Sequence, residues 1–118
     1  LLENIAANCM SKGVKCIVAQ PRSILESIFI LNSAKLVVSG CCSAIHMASL
    51  TDVKIIGLYG PTDFEYTGPW NDNFSIESID LACAPCYSKT PFGCGNPLCM
   101  MGITTESIFQ TVSSFNLR

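Results

Sequence analysis

Apolar residues recur at helical spacing in two early segments of the chain. The first runs from Leu2 to Met10, and Gly13 follows it as a candidate C-cap. The second begins after Ser23, which is placed to cap it, with Glu26 at the capping-box position. The pattern therefore predicts two amphipathic helices near the start of the chain.

Short continuous apolar runs of strand length separate further helical segments. The runs predict strands at 15–19, 35–39, 54–59 and 74–79, a short helix at 44–50 and a last helix at 104–115. Strands that alternate with helices are typical of a parallel sheet with right-handed crossovers. The fold class predicted is α/β.

The composition indicates one domain that is only part of a larger unit. Of 118 residues, 49% are hydrophobic and 14% are charged, so the elements are expected to be buried on more than one face. No run reaches the roughly 18 apolar residues that a spanning helix needs. Because the chain opens on a helix, we interpret 1–118 as a single partial domain. An exposed sheet edge and self-association are then expected.

Charge and cysteine content limit the classes of partner. The net charge is −2 and the seven basic residues are scattered, which argues against nucleic acid and anionic lipid as partners. There are eight cysteines, and the first residues lack the basic start and apolar core of a signal peptide. A reducing cytosol is therefore favoured over a disulfide scaffold.

The first candidate site is a turn of small residues between a predicted strand and a predicted helix. It contains Gly40, Cys41, Cys42 and Ser43, and His46 lies early in the helix. A helix start at the carboxyl end of a parallel strand can bind phosphate, and His46 can donate to it. The alternative is a plain turn in which His46 is packed and hydrogen-bonded.

A second candidate loop follows the next buried strand. Gly60 would let the backbone approach a ligand, Pro61 stiffens the turn, and Thr62 offers a hydroxyl and an N–H. The alternative is an ordinary turn in which Thr62 or Asp63 caps local N–H groups.

The third feature is a cysteine-rich loop at 82–102. Cys83, Cys86, Cys94 and Cys99 have CxxC and CxxxxC spacing, which can hold structural Zn²⁺. The alternatives are disulfides or reduced thiols that pack the loop. Trp70 is interpreted as a loop anchor, and a sugar platform is the alternative.

The order of these motifs is more specific than any one of them. The series runs Leu36-Val37-Val38, the small-residue turn, His46-Met47-Ala48, Ile56 to Asp63, Thr67-Gly68-Pro69, Cys83 to Cys86, Cys99-Met100 and Ile103 to Glu106. It resembles glycosyltransferase family nine, the lipopolysaccharide heptosyltransferases, over nearly the whole chain.

The resemblance implies part of the C-terminal domain of a GT-B enzyme, with a Rossmann-like parallel sheet flanked by helices. That domain binds a nucleotide-sugar donor such as ADP-heptose, whose sugar goes to a lipid-linked saccharide, the lipopolysaccharide inner core. The resemblance implies that Gly40 to Ser43, His46 and Gly60 to Thr62 contact the donor. It implies no required cofactor, a catalytic residue in the missing N-terminal domain, an inactive fragment, and a cytoplasmic enzyme peripheral to the inner membrane.

One departure from the family pattern keeps alternatives open. The family has an acid where this chain has Cys41, and a thiol cannot replace that anionic acceptor. A degenerate family member is therefore a second hypothesis. A third is a metal or redox module built on the four-cysteine loop.

Overall fold

A computed structural model of the chain describes residues 1–86, 94–115 and 117. Its elements, in chain order, are α1 (Leu2–Ser11), α2 (Ile24–Asn32), β1 (Leu36–Gly40), α3 (Ser43–Ala48), β2 (Lys54–Tyr59), α4 (Phe64–Thr67), β3 (Phe74–Ser78), α5 (Leu98–Met101) and α6 (Thr105–Ser114).

The three strands form one parallel sheet in the order β1-β2-β3. Leu36 pairs with Lys54 at the start of β1, and Ile55 pairs with Phe74 at the start of β3. The helices flank this sheet, with α3 between β1 and β2 and packed on α2, and α6 packed on β2 and β3. The predicted α/β class with a Rossmann-like parallel sheet is confirmed.

Local capping explains where the first two helices end and begin. Gly13 has φ +77° and its N–H donates to the Met10 carbonyl, while the next N–H donates to the Cys9 carbonyl, which is a Schellman motif. The Ser23 hydroxyl accepts from the Glu26 N–H at 3.1 Å. Both predicted caps are therefore confirmed.

The core lies between the sheet and α3. Its buried residues are Val37, Ile45, Ala48, Val53, Ile55 and Tyr59. Ile45 and Ile55 have no exposed surface, so the apolar run of β2 is covered as a central parallel strand requires.

The strand predicted at 15–19 is wrong. No strand is assigned to this segment, and the Ile17 side chain is 90% exposed. An apolar run forms a strand only where a neighbouring strand pairs with it, and β1 pairs with β2 alone among the described strands. Val38 of β1 is 46% exposed, in keeping with the edge position of its strand. Self-association through this edge stays a prediction.

Two short helices lie in segments that the sequence predicts as loops. Asp63 caps α4, which occupies the segment after β2. The second, α5, lies inside the predicted loop 82–102, of which 87–93 lies outside the described residues. Each has four residues, too few for the apolar periodicity that marks a longer helix.

No helix in the described part of the chain has the length and apolarity that crossing a membrane requires.

Candidate functional site

The carboxyl ends of the three parallel strands lie at the same end of the sheet, and the candidate residues follow them there. β1 runs into the segment 41–46, named here the β1 turn, and β2 runs into the segment 60–67, named the β2 loop. Ligands of open parallel sheets bind at this edge. The two segments nevertheless line different cavities.

The β1 turn lines a groove of about 580 Å³ between the starts of α2 and α3. Ser43 and His46 face it from α3, and Arg22 and Ser23 face it from the segment before α2. The Arg22 guanidinium makes no ion pair with any described residue. The groove thus combines a cation, hydroxyls and an imidazole, which are donors for a phosphate group.

His46 is half-buried, and its side chain makes no hydrogen bond to another described residue. Its Nδ1 is buried without a partner, and its ring centroid lies 5.5 Å from that of Trp70 at a tilt of 39°. Buried polar atoms are normally paired, so an unpaired one calls for a functional explanation. His46 is thus packed, as the plain-turn alternative predicts, but its side chain is not hydrogen-bonded as that alternative also predicts.

Cys42 precedes α3 and presents an exposed thiol. Its Sγ lies 3.3 Å from the Ser39 hydroxyl. That hydrogen bond lowers the pKa of the thiol, partial desolvation opposes the shift, and the N–H groups of Ala44 and Ile45 lower the pKa further. Hydrogen bonds to the charged form stabilise a thiolate here.

Cys41 is half-buried and joins a network that links the β1 turn to the β2 loop. Its thiol donates to the Thr67 hydroxyl at 3.4 Å, and that hydroxyl donates to the Asp63 carbonyl at 2.7 Å. The Tyr59 hydroxyl donates to the Thr67 carbonyl at 2.6 Å. Burial raises the pKa of Tyr59 to about 12, and the electrostatic interaction with the neighbouring Cys41 adds to the effect.

The β2 loop lines a second cavity, a cleft of about 340 Å³ at the ends of β2 and β3. Thr62 and Asp63 line it together with Asp80 and Pro85. The Asp63 carboxylate accepts from the Glu65 N–H at 2.9 Å, as the ordinary-turn alternative for this loop predicts. The Thr62 contact with a donor stays a prediction.

Gly60 and Pro61 hold the β2 loop against the neighbouring segments. A Cβ on Gly60 would lie 2.5 Å from the Met100 sulfur and 2.9 Å from the Cys99 sulfur. The Pro61 carbonyl accepts from the Cys86 N–H at 2.9 Å. The close approach predicted at Gly60 is therefore made to side chains of α5.

The structure does not assemble the predicted zinc site. In the part of the chain that is described, no three His, Cys, Asp or Glu side chains lie together as metal ligands would. Cys83 and Cys94 are exposed whereas Cys99 is buried beside Gly60, and none of the eight cysteines is in a disulfide. Packing against Gly60 explains why Cys99 is buried, and the alternative of reduced thiols that pack the loop therefore fits the described cysteines.

Arg22 is the groove residue that the sequence reasoning missed. The signal available was its position directly before Ser23, because a residue beside a helix cap shares the space at the helix start. Its approach to His46 depends on how α2 packs on α3, which no local pattern encodes.

Comparison with known proteins identifies relatives over most of the chain. The family model described as glycosyltransferase family 9 (heptosyltransferase) matches residues 1–93. No solved structure matches the chain significantly.

Three curated relatives are named as heptosyltransferases. The chain is 43% identical over 47 residues to lipooligosaccharide heptosyltransferase 2 of Campylobacter jejuni serotype O:2, covering 39% of the chain and 15% of the relative. It is 32% identical over 77 residues to that of serotype O:6, covering 61% and 23%. It is 29% identical over 89 residues to lipopolysaccharide heptosyltransferase 1 of Pseudomonas aeruginosa, covering 75% and 25%. The chain thus spans at most a quarter of these relatives.

Proposed function

This chain belongs to glycosyltransferase family 9, and from that premise we propose that it forms part of the donor-binding C-terminal domain of a GT-B heptosyltransferase-like enzyme. The donor proposed is a nucleotide-diphosphate sugar such as ADP-heptose. The acceptor proposed is a lipid-linked saccharide, the lipopolysaccharide inner core. The curated relatives' names, lipooligosaccharide and lipopolysaccharide heptosyltransferase, support this choice.

The groove beside His46 is the observation that carries the proposal. Arg22 supplies a positive charge without an ion pair among the described residues, Ser43 a hydroxyl, and His46 an imidazole. A diphosphate needs a cation and several hydrogen-bond donors, and arginine is well suited to phosphate oxygens. Apolar Pro21, Ile24 and Met47 line the same groove and suit the flat face of a nucleobase.

The same groups would assist the chemical step. Transfer of the sugar leaves a nucleoside diphosphate, whose leaving oxygen gains negative charge as the glycosidic bond to it breaks. Donors fixed at that oxygen stabilise the charge, and Arg22 and His46 are the candidates in this chain. We expect the base that deprotonates the acceptor hydroxyl to come from another part of the intact protein.

The thiol at Cys41 supports a second candidate function, a degenerate family member that binds without transferring. Cys41 donates to Thr67 and leaves no carboxylate in the β1 turn. Replacing Cys41 by Asp in the intact protein separates the candidates. A gain of transfer activity would favour degeneracy, whereas transfer by the wild type that the variant does not improve would favour an active enzyme with altered donor contacts.

The test is calorimetric titration of the intact protein with ADP, UDP, GDP and ADP-heptose. We expect the protein to bind the nucleotides of one nucleobase selectively, and we expect the affinity for them to fall in His46→Ala and Arg22→Ala. A charge-assisted hydrogen bond contributes about 1.5–3 kcal/mol, so each loss should be about tenfold or more. Lys12→Ala is the matched control, because it removes a positive charge that does not line the groove.

Binding to none of the four ligands by a folded protein would overturn the proposed function. Selective binding that His46→Ala and Arg22→Ala leave unchanged would instead overturn the assignment of the groove. An equal loss of affinity in Lys12→Ala would show that the effect comes from the net charge of the protein and not from the groove.

A further inference from the structure

Trp70 is exposed although the loop that carries it is held on both sides. The indole is 73% exposed, whereas the adjacent Pro69 is buried. The Asn71 side chain donates to the carbonyls of Thr51 at 3.0 Å and Val53 at 3.1 Å. The sequence interpretation of Trp70 as the loop anchor is therefore wrong, because Pro69 and Asn71 anchor the loop without it.

The position of Trp70 relates it to the groove. Its ring centroid lies 5.5 Å from that of His46, the residue that also lines the groove. Its N–H has no hydrogen-bond partner among the described residues. A loop held by Pro69 and Asn71 thus presents a flat apolar surface and an unpaired N–H donor beside the imidazole.

We propose that Trp70 is a stacking platform for the sugar of the nucleotide-sugar donor. This inference rests on the proposed function. A diphosphate bound at Arg22 and His46 has two ends, and the apolar groove lining of Pro21, Ile24 and Met47 accounts for the nucleobase end. The other end carries the sugar, and Trp70 adjoins His46 without lining the groove.

The chemistry of the two partners is complementary. The C–H face of a sugar ring packs against an aromatic ring, and an indole N–H can donate to a ring hydroxyl. Tyr66 is a comparable aromatic residue nearby in the chain, 86% exposed, but its ring has no aromatic contact with His46. It therefore serves as the matched control for loss of an exposed aromatic side chain.

The experiment compares each nucleoside diphosphate with its sugar derivative on the intact protein. Calorimetry of the wild type with ADP and ADP-heptose, UDP and UDP-glucose, and GDP and GDP-mannose first identifies the pair that binds. That pair is then titrated into Trp70→Ala, Trp70→Phe and Tyr66→Ala. Melting temperatures establish that each variant is folded.

The expected result is a loss confined to the sugar-bearing ligand. Trp70→Ala removes the aromatic face and the apolar area that it buries against the sugar, so it should weaken the nucleotide sugar by about tenfold. Its affinity for the nucleoside diphosphate should stay within about twofold, and Trp70→Phe should retain most of the wild-type affinity. Tyr66→Ala should match the wild type for both ligands.

Three outcomes would overturn the inference. An equal loss for both members of the pair would assign Trp70 to the nucleotide, and no loss for either would leave it without a role. If Trp70→Ala does not fold, Trp70→Leu replaces it. Equal affinities of Trp70→Leu and Trp70→Phe for the nucleotide sugar would show that a flat ring is not required. A wild type that binds no nucleotide would overturn the proposed function itself.

Discussion

The β1 turn and the β2 loop end neighbouring strands at the same edge, yet they differ in how their polar groups are paired. In the β2 loop, the Thr67 hydroxyl is bonded on both sides and the Asp63 carboxylate caps α4. In the β1 turn, Cys42 is exposed and His46 keeps a buried nitrogen without a partner. Thr67 and Asp63 of the β2 loop are therefore paired within the protein, whereas His46 of the β1 turn keeps an unpaired buried nitrogen.

The difference separates a support from a binding surface. Buried polar groups are generally paired, and a group left unpaired carries a cost unless a ligand completes it. Cys41 belongs to the β1 turn by sequence but pairs with Thr67 of the β2 loop. Stability should thus respond to changes in the β2 loop, and ligand binding to changes in the β1 turn.

The largest expected effect is a loss of stability in Gly68→Ala, directly after the β2 loop. A Cβ at Gly68 would overlap the Phe64 carbonyl oxygen, which belongs to the backbone of α4 and cannot rotate away. We expect the free energy of unfolding to fall by about 3 kcal/mol, at the upper end for overpacking. Urea denaturation of the intact protein measures the change.

Gly40→Ala, at the last residue of β1 directly before the β1 turn, is the matched control. The nearest atom to its new Cβ is the Leu58 carbonyl oxygen at 3.9 Å, so stability should change by less than about 0.5 kcal/mol. Equal losses in both variants would contradict the assignment of the β2 loop as the support.

The next effect is a loss of stability at alkaline pH through Tyr59. Burial raises its pKa to about 12, above the unfolded value of about 10. A raised folded pKa stabilises the protein fully below pH about 10, and this contribution is lost as the pH rises towards about 12. We expect a decline of about 2 kcal/mol across that window.

The free energy of unfolding is measured for wild type and Tyr59→Phe at several pH values between about 9 and 12, the range that the unfolded and folded pKa values of Tyr59 define. The quantity compared is the difference between the two proteins at each pH. The subtraction removes other groups that titrate there. A difference that stays constant with pH would show that Tyr59 ionises equally in both states.

A smaller effect is expected from Tyr59→Phe at neutral pH. The substitution keeps the ring, which packs edge-on against Phe64, and removes the hydroxyl that donates to the Thr67 carbonyl. A net hydrogen bond is worth about 1 kcal/mol, and thermal unfolding should show that loss. Tyr66→Phe, at an exposed position, should show none; an equal loss there would contradict the role of the bond.

Features set by neighbouring residues could be predicted from the sequence, and features set by packing could not. The caps at Gly13 and Ser23 follow from residue type and spacing, and the three strands from apolar runs. The run around Ile17 resembles them locally but has no neighbouring strand. Whether an apolar run becomes a strand is thus decided outside the run.

The candidate site shows the same division. The sequence singled out His46 and the β1 turn from their place after a buried strand, and the family resemblance reinforced the choice. It could not show that Arg22 shares a groove with His46, or that Trp70 is exposed beside it, because both depend on contacts between distant segments. The four cysteines show the converse, since regular spacing along the chain did not bring their thiols together.

The smallest effect concerns the rate at which Cys42 reacts with iodoacetamide. Its hydrogen bond to Ser39 lowers the pKa of the thiol, so the reactive thiolate persists to lower pH. Ser39→Ala should raise the midpoint of the rate–pH profile and slow the reaction at neutral pH by about threefold. Both proteins carry Cys41→Ser, so that Cys42 is the one thiol left in the turn.

Ser33→Ala is the matched control, because the Ser33 hydroxyl bonds only to the Phe29 carbonyl. At high pH, where the thiol is ionised in both proteins, Ser39→Ala should react at least as fast as the wild type, because a thiolate of higher pKa is the stronger nucleophile. A profile that Ser39→Ala leaves unmoved would show that the open β1 turn does not activate its exposed thiol.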